Sequence, residues 1–432
     1  MQWSSSWLKI SLVGVFLAVR FYLATLTYNP DIWNHEAWVE SVESQSWSGL
    51  YERDMGERAP VNYPPVSLYS FYLGEKLYQS VVPTSAQSDN LRAFFYKLPS
   101  LVADMAIAYL LFRLLPFPRK GRTLAALLYL LNPALAYNSV VWGQIESLAT
   151  LPALLTVFML IRKRGDLALL FFTLGCLTKQ NILPLAPLVL YGLYELRSSW
   201  RRTLFGLILS LGITLIAYAP LLPSGVNPLS YIPGNYLSAV GGQAHQHLAS
   251  VNALNLYYGL GLNNIPDSLE VRPLGVISLR TLSLGIALCL ALGMIWVLVR
   301  GGGTRSSRYL RALVLLALGT FMFTTRMHER HSYMSIAYLT LLAPAFNWRG
   351  WGTYLFLSAL SFYNVYGVWA GYFWSPMGAV WGISMRLFSL GAAALSLLFI
   401  MNSHLFLKEK FDDSTASSRS VSRRRNHRTI AP

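Results

Sequence analysis

The feature that most constrains the fold of this chain is a series of long apolar runs separated by short basic clusters. The first run, 8–28, has about 20 residues, enough for a helix to cross the hydrocarbon core of a bilayer. Apolar residues make up 54% of the 432 residues and charged residues only 12%, about half the charged share of soluble domains. Because such a chain cannot cover itself with water-compatible side chains, the sequence predicts an all-α polytopic membrane protein.

We predict about 12 membrane-spanning helices from these runs. The first is expected to be retained, because no small-residue cleavage site follows it. The fifth and sixth are short, and a broken or re-entrant pair is the alternative for them. The predicted spans are 8–28, 96–116, 123–142, 145–161, 167–180, 183–196, 203–221, 276–299, 309–325, 331–346, 351–371 and 379–402.

The basic residues predict the orientation of these spans. The net charge of +16 is carried by clusters between the runs, and not by one soluble face that would bind nucleic acid. With an even number of spans, these clusters share one side and most acidic residues lie on the other. Since Lys and Arg mark the cytoplasmic side, both termini are predicted to be cytoplasmic. We divide the chain into a membrane domain, 1–407, and a basic tail, 408–432, expected to be disordered and drawn to anionic lipid headgroups.

Two segments predicted to face outward are too long to be simple connections: 29–95 and 222–275. Loops of this length in a compact protein are usually functional. In the first, Trp33 and Trp38 recur at near-helical spacing against Glu36. This pattern favours an amphipathic helix lying on the outer membrane interface, a depth that suits Trp.

Two acidic residues stand out by their positions. Asp31 follows the first span directly, so it is expected at the outer membrane surface, near His35 and Glu36, where it is a candidate general base. The alternative is that Asp31 caps a helix. Asp104 lies inside the second span, where a carboxylate is costly and is either functional or part of a buried structural pair.

The sharpest cluster is 324–331, also predicted to face outward. It holds Arg326, His328, Glu329 and Arg330, against the charge trend of that side. Arg binds phosphate through a two-pronged fork and His adds a hydrogen bond or a proton, so phosphate binding is the favoured interpretation. A metal site that includes His328, or an ordinary loop with an Arg–Glu pair, are the alternatives.

Together with the segments 61–66, 142–146 and 178–181, these motifs resemble the GT-C superfamily of membrane glycosyltransferases, which use polyprenyl- or dolichyl-phosphate sugars. The chain is similar to the bacterial mannosyl- and glucosyltransferases and, more distantly, to the dolichyl-phosphate-glucose-dependent glucosyltransferases. The resemblance depends on the order of the motifs from Pro30 to Arg330 and on their shared outward placement.

The resemblance implies a membrane hexosyltransferase. It would move a mannosyl or glucosyl unit from a polyprenyl-phosphate sugar to a glycan, lipid or protein acceptor on the non-cytoplasmic face, with inversion. It implies no obligatory cofactor, with a divalent metal as the weaker possibility, and no nucleic-acid partner. The residues it implicates are Asp31 as the base, His328, Arg330, Arg326 and Lys179 at the donor phosphate, and Glu36, Tyr63, Asp104, Gln144, Glu146, Gln180 and Glu329 in substrate binding or support.

Two other classes remain open at the level of sequence. A transporter or flippase of lipid-linked saccharides would use the same charged groups as a path for the headgroup. A structural membrane subunit would leave the outward Arg and His cluster unexplained. One observation that separates the enzyme from the transporter is whether Asp31, Lys179 and Arg330 converge on one outward cavity beneath the first loop.

Overall fold

The computed structural model describes residues 4–241, 247–270, 277–373 and 378–408, and helices dominate them. The α-helices of these residues are α1 (Ser4–Ala24), α2 (Pro30–Gln45), α3 (Pro65–Val81), α4 (Asp89–Leu114), α5 (Arg119–Leu131), α6 (Pro133–Ala136), α7 (Glu146–Ile161), α8 (Gly165–Thr178), α9 (Ala186–Glu195), α10 (Trp200–Tyr218), α11 (Pro228–Gly241), α12 (Leu256–Gly259), α13 (Leu279–Arg300), α14 (Arg305–Phe323), α15 (Ser332–Leu342), α16 (Trp348–Phe373) and α17 (Gly378–Met401). Two short strands are β1 (Ser250–Val251) and β2 (Met327–His328).

Several of these helices are long and apolar enough to cross a membrane, as expected for an all-α membrane protein. In the part of the chain that the structure describes, four qualify: α4, Trp200–Leu221, α13 and Ser384–Met401. The segment Pro133–Trp142 makes a fifth with α5, if this pair, bent by 49°, is one span. The structure therefore supports four or five spans by length and composition, and not the 12 predicted.

Part of the difference in number has a physical reason, because some apolar runs do not form long straight helices. Every predicted span contains a helix, but α7 and α8 have 16 and 14 residues. At about 1.5 Å per residue they are about 24 and 21 Å long, shorter than the hydrocarbon core of about 30 Å. The predicted span 183–196 begins with a 3₁₀ turn, Gln180–Leu185, and continues as the 10-residue α9.

The helices divide into a buried centre and an exposed periphery. All residues of α15 are buried, as is most of α14, which packs against α13 and α15. By contrast, α10 and α13 expose most of their apolar side chains. An apolar surface of this extent is typical of a face that contacts lipid.

The first long loop contains the predicted amphipathic helix, α2, but its Trp and Glu residues are not divided between two faces as the pattern indicated. Trp33 is 44% exposed, whereas Glu36 is buried together with Ile32 and Trp38. The helix packs against α3, which begins directly after Pro64. The face of α2 is thus set by the protein that covers it, which the spacing of Trp and Glu could not show.

The second long loop is linked to the predicted phosphate-binding segment by a short parallel sheet that we did not predict. Ser250 of β1 lies opposite Met327 of β2, and Val251 lies opposite His328. This pairing brings the loop beside the turn that carries Arg330. The predicted disordered tail lies outside the described residues except for Lys408.

Candidate functional site

Asp31 lies at the start of α2 with its carboxylate directed at another part of the chain. The predicted alternative, that Asp31 caps the helix, is wrong because Asn29 does so: its Oδ1 accepts hydrogen bonds from the amides of Asp31 at 2.9 Å and Ile32 at 3.2 Å. The Asp31 carboxylate instead accepts a hydrogen bond from Trp142 Nε1 at 2.7 Å and another from the Gln144 amide. Gln144, a predicted supporting residue, therefore contacts the predicted base.

A bent turn presents the two donors to Asp31. After Asn132 caps α6, the chain forms one π-helical segment, Tyr137–Trp142, which ends at Gly143. Gly143 has a φ of +79°, and an added Cβ would lie 3.0 Å from Ile32 Cδ1. Because glycine adopts this conformation without strain and has no Cβ to meet Ile32, the turn requires glycine at this position. Such π-helical segments are frequent at functional sites.

Arg330 approaches Asp31 from the other side. It lies in the turn Glu329–His331 that precedes α15. Its Nη1 is 3.9 Å from Asp31 Oδ2 and 3.3 Å from Glu329 Oε1. The side chains of Asp31 and Arg330 retain 31% and 18% exposure, so an entering molecule can reach both. The structure thus brings together the predicted base, the predicted phosphate ligand Arg330 and Glu329.

Asp31 and Arg330 stabilise each other's charged forms. Burial raises the pKa of the Asp31 carboxyl, but the positive charge of the Arg330 guanidinium and the Trp142 hydrogen bond outweigh this effect and hold the pKa below its usual value. Burial lowers the pKa of Arg330, but the negative charges of Asp31 and Glu329 raise it overall. Both groups are therefore ionised at neutral pH, as a base and a phosphate ligand must be.

An aromatic wall lines the same site. The His35 ring stacks on Phe71 with centroids 3.9 Å apart, and the Tyr63 ring lies 5.6 Å from His35. Burial lowers the pKa of His35 to about 3, so this ring is neutral at pH 7. The sequence indicated Tyr63 as a site residue and placed His35 near Asp31, but no role was predicted for His35 or for Trp142.

Lys179 is near this wall but its charge is already compensated. Its ammonium forms a buried ion pair with Glu146 and lies 5.3 Å from the centre of the Tyr63 ring. Glu146 is fully buried, and Lys179 is 4% exposed. Gln180, next in sequence, donates to the Asn62 carbonyl at 2.6 Å and ties this segment to the first loop. Lys179 is thus already paired with a carboxylate, and its predicted role at the donor phosphate stays a prediction.

Breaking this pair on one side is expected to destabilise the protein strongly. Lys179→Met or Glu146→Leu alone leaves one buried charge without a partner, at a cost of about 3 kcal/mol or more. The double variant removes both charges, so it should lose much less than the sum of the two single changes. Thermal unfolding of the purified protein in detergent measures this cycle. Additive losses would show that the two side chains do not form a coupled pair.

Three other predicted residues lie in contacts of their own, outside the group around Asp31. Arg326 forms an ion pair with Asp267 Oδ2 at 2.6 Å. Glu36 accepts a hydrogen bond from the Tyr28 hydroxyl at 2.5 Å and faces Arg92 at 3.8 Å. Both charged groups thus already have protein partners, and their predicted roles in phosphate and substrate binding stay predictions.

Asp104 is the third predicted residue that lies outside the group around Asp31. It is fully buried and accepts hydrogen bonds from Arg20 and Tyr129 at 2.7 Å, Ser139 at 2.6 Å and Tyr333 at 2.8 Å. These partners come from α1, α5, the π-helical segment and α15. Asp104 therefore matches the structural alternative considered for it, and it joins helices rather than binding substrate.

His328 lies at the edge of the site, in β2. Its amide donates to His331 Nδ1 at 3.2 Å, and the two rings are 5.2 Å apart. Across the described ranges, no group of three or more His, Cys, Asp or Glu side chains is arranged to hold a metal ion. The metal alternative for this pair thus has two neighbouring imidazoles and no third ligand among those residues.

No protein-family model and no curated protein matches this chain. The chemistry of the site around Asp31 is therefore what indicates a function. That site consists of a part-exposed carboxylate, a guanidinium beside it, two donors that orient the carboxylate and an aromatic wall.

Proposed function

We propose that this chain is a membrane hexosyltransferase of the GT-C type, with a polyprenyl-phosphate sugar as its donor. The observation that carries the proposal is the approach of Arg330 Nη1 to Asp31 Oδ2, 3.9 Å apart in a site that both side chains share with solvent. A glycosyl transfer of this kind needs a base for the acceptor hydroxyl and a cation for the departing phosphate. These two residues supply both within one site.

In the proposed reaction, an acceptor hydroxyl oxygen attacks the anomeric carbon of the donor sugar. Its proton passes to the Asp31 carboxylate, and the bond from the anomeric carbon to the phosphate oxygen breaks. The electron pair leaves with the polyprenyl phosphate, and the anomeric centre is inverted. Hydrogen bonds from Trp142 and Gln144 to the carboxylate oxygen Oδ2 orient the base.

Arg330 is the proposed phosphate ligand. Its Nη1 faces Asp31 and Glu329, whereas its Nε is buried and, among the residues that the structure describes, has no hydrogen-bond partner. An unsatisfied buried donor is costly, so a phosphate oxygen that accepts from Nε would remove this cost. Because the phosphate anion also competes for the guanidinium charge, it weakens the hold of Arg330 on Asp31 and makes the carboxylate a stronger base.

The membrane arrangement belongs to the same proposal. We propose that the shorter apolar helices complete a domain of 12 spans, with both termini in the cytoplasm. The Asp31 site then faces the opposite side, where a lipid-linked donor reaches it from the bilayer. The exposed apolar faces of α10 and α13 are available to lipid.

The test is a reconstituted assay with radiolabelled polyprenyl-phosphate glucose and, separately, mannose. The protein in lipid vesicles is expected to release polyprenyl phosphate and to move the label to an acceptor in a membrane extract from the source cells. Vesicles that contain the Asp31→Asn variant serve as the control. Label that crosses the bilayer as the intact donor, with no release of polyprenyl phosphate, would instead identify a flippase.

A further inference from the structure

Lys97 is a buried cation for which the proposed reaction has no use. It lies in α4 and is fully buried. Its ammonium donates hydrogen bonds to the carbonyl of Ala24 at 2.9 Å, and to the carbonyl and Oγ1 of Thr27 at 2.6 and 2.7 Å. Within the described ranges, no carboxylate lies within 4 Å of it. A buried charge without a counter-ion needs a specific reason to persist.

The acceptors of Lys97 show what holds the charge in place. Ala24 is the last residue of α1, and the carbonyls at a helix C-terminus lack partners within the helix. They also carry the negative end of the helix dipole, which attracts a cation. Lys97 therefore caps α1 from a neighbouring helix, and it fixes the start of the connection that leads to Asp31.

The contacts continue from this cap to the turn that orients Asp31. The hydroxyl of Thr27, which accepts from Lys97, donates to the Val141 carbonyl at 2.7 Å. The Asn29 side chain donates to the Trp142 carbonyl. The Lys97 stem also packs on Gly143, where an added Cβ would lie 3.0 Å from Lys97 Cγ. One side chain thus touches the segment that carries the carboxylate and the turn that carries its donors.

From these contacts we propose that Lys97 is a positioning residue, which locks the connection between α1 and α2 onto the 141–144 turn and so holds Asp31 against Trp142 and Gln144. The link to catalysis rests on the proposed function, whereas the lock itself does not. Lys97 touches no proposed substrate group, and it acts through the backbone on both sides of the site.

Hydrogen exchange followed by mass spectrometry tests the lock without any substrate. In the full-length protein in lipid nanodiscs, Lys97→Met is expected to speed amide exchange at least about tenfold in peptides covering 24–32 and 141–144, because three hydrogen bonds to a charged group are lost. Arg20→Met is the matched control. It also removes a buried cation at the junction of α1 and α4, but Arg20 contacts Asp104, Ser139 and the Leu130 carbonyl. It should lower the melting temperature and leave exchange at 29–32 unchanged.

Exchange of Lys97→Met at the wild-type rate in both segments would overturn the proposal, as would equal effects of the two variants. If Lys97→Met does not fold, Thr27→Val tests the same lock more gently. It removes the hydroxyl between Lys97 and Val141 and should speed exchange of the same peptides by a smaller factor. Wild-type exchange in Thr27→Val would then count against the lock.

A kinetic measurement tests the link to catalysis. With the labelled donor, Lys97→Met should lower kcat about 100-fold, since a misplaced base loses that much, while the donor KM stays near the wild-type value because Arg330 is untouched. An unchanged kcat would refute the positioning role. If the wild-type protein transfers no sugar, the proposed function fails, and the exchange experiment still decides whether Lys97 is a lock.

Discussion

Replacing Asp31 with Asn is expected to lower kcat for sugar transfer by about 100- to 10,000-fold, the usual contribution of a general base. The amide keeps the shape of the carboxylate, and its oxygen still accepts a hydrogen bond from Trp142 Nε1, so the site should remain folded. It cannot take the proton of the acceptor hydroxyl. Release of polyprenyl phosphate from a labelled donor measures the loss.

The matched control for this variant is Glu40→Gln, which removes an acid from the same helix. The Glu40 side chain is 59% exposed and its ion-pair partner is Arg92, at 3.3 Å. An exposed pair of this kind contributes little, so transfer should continue at the wild-type rate. Near wild-type turnover in Asp31→Asn, or an equal loss in Glu40→Gln, would remove Asp31 from the role of the base.

The pH dependence of kcat/KM gives a second test of the same residue. Because the folded protein lowers the pKa of Asp31 below 3.8, the carboxylate stays charged as pH falls toward that value. We therefore expect no loss of kcat/KM from Asp31 protonation between about pH 5 and 8, and a fall only below the usual carboxyl range. In Arg330→Met the guanidinium charge that lowers the pKa of Asp31 is gone, while the burial that raises this pKa remains. The fall in kcat/KM should therefore move to higher pH. A fall in kcat/KM at the same pH as in the wild-type protein would show that Arg330 does not lower the pKa of Asp31.

Replacing Arg330 with Met is expected to lower kcat/KM for the donor about 30-fold or more. This corresponds to about 2 kcal/mol, the lower end of the cost of removing one partner from a buried charged contact. Most of the change should be in the donor KM, because a phosphate ligand binds the donor before it stabilises the leaving group. Initial rates at varied donor concentration measure it.

Two further variants separate the shape of Arg330 from its charge. Arg330→Lys keeps a cation but loses the planar fork, so it should recover only part of the lost donor affinity. Arg326→Met removes the same charge four residues earlier. Since Arg326 is held by Asp267 at 2.6 Å, this change should raise the donor KM far less. A larger effect at Arg326 than at Arg330 would relocate the phosphate site.

The start of α2 is encoded in its local sequence, whereas the face that α2 buries is not. Asn29 and Pro30 at its start are local signals, because a capping side chain and a proline act on neighbouring backbone. The burial of Glu36 is not local. It depends on Tyr28 and on Arg92, which is 56 residues further along the chain.

The charged residues of the site differ in the same way. Composition made Asp31 and Arg330 candidates for the site, because charges are rare in this chain and stand out against apolar runs. The partners of these two residues could not be predicted from composition. Nothing in the local sequence shows that Lys179 pairs with Glu146, or that Arg330 lies beside Asp31.

The amino-acid sequence by itself therefore determined that this chain is helical, that much of it suits a membrane, and which charged residues are few enough to be candidates. Helix length and hydropathy are sums over neighbouring residues, which makes them readable along the chain. Only the tertiary structure decided that Asp31 meets Arg330, that Asp104 joins helices, and that Lys97 caps α1. Those contacts join residues far apart in sequence, and their distances depend on how the helices pack.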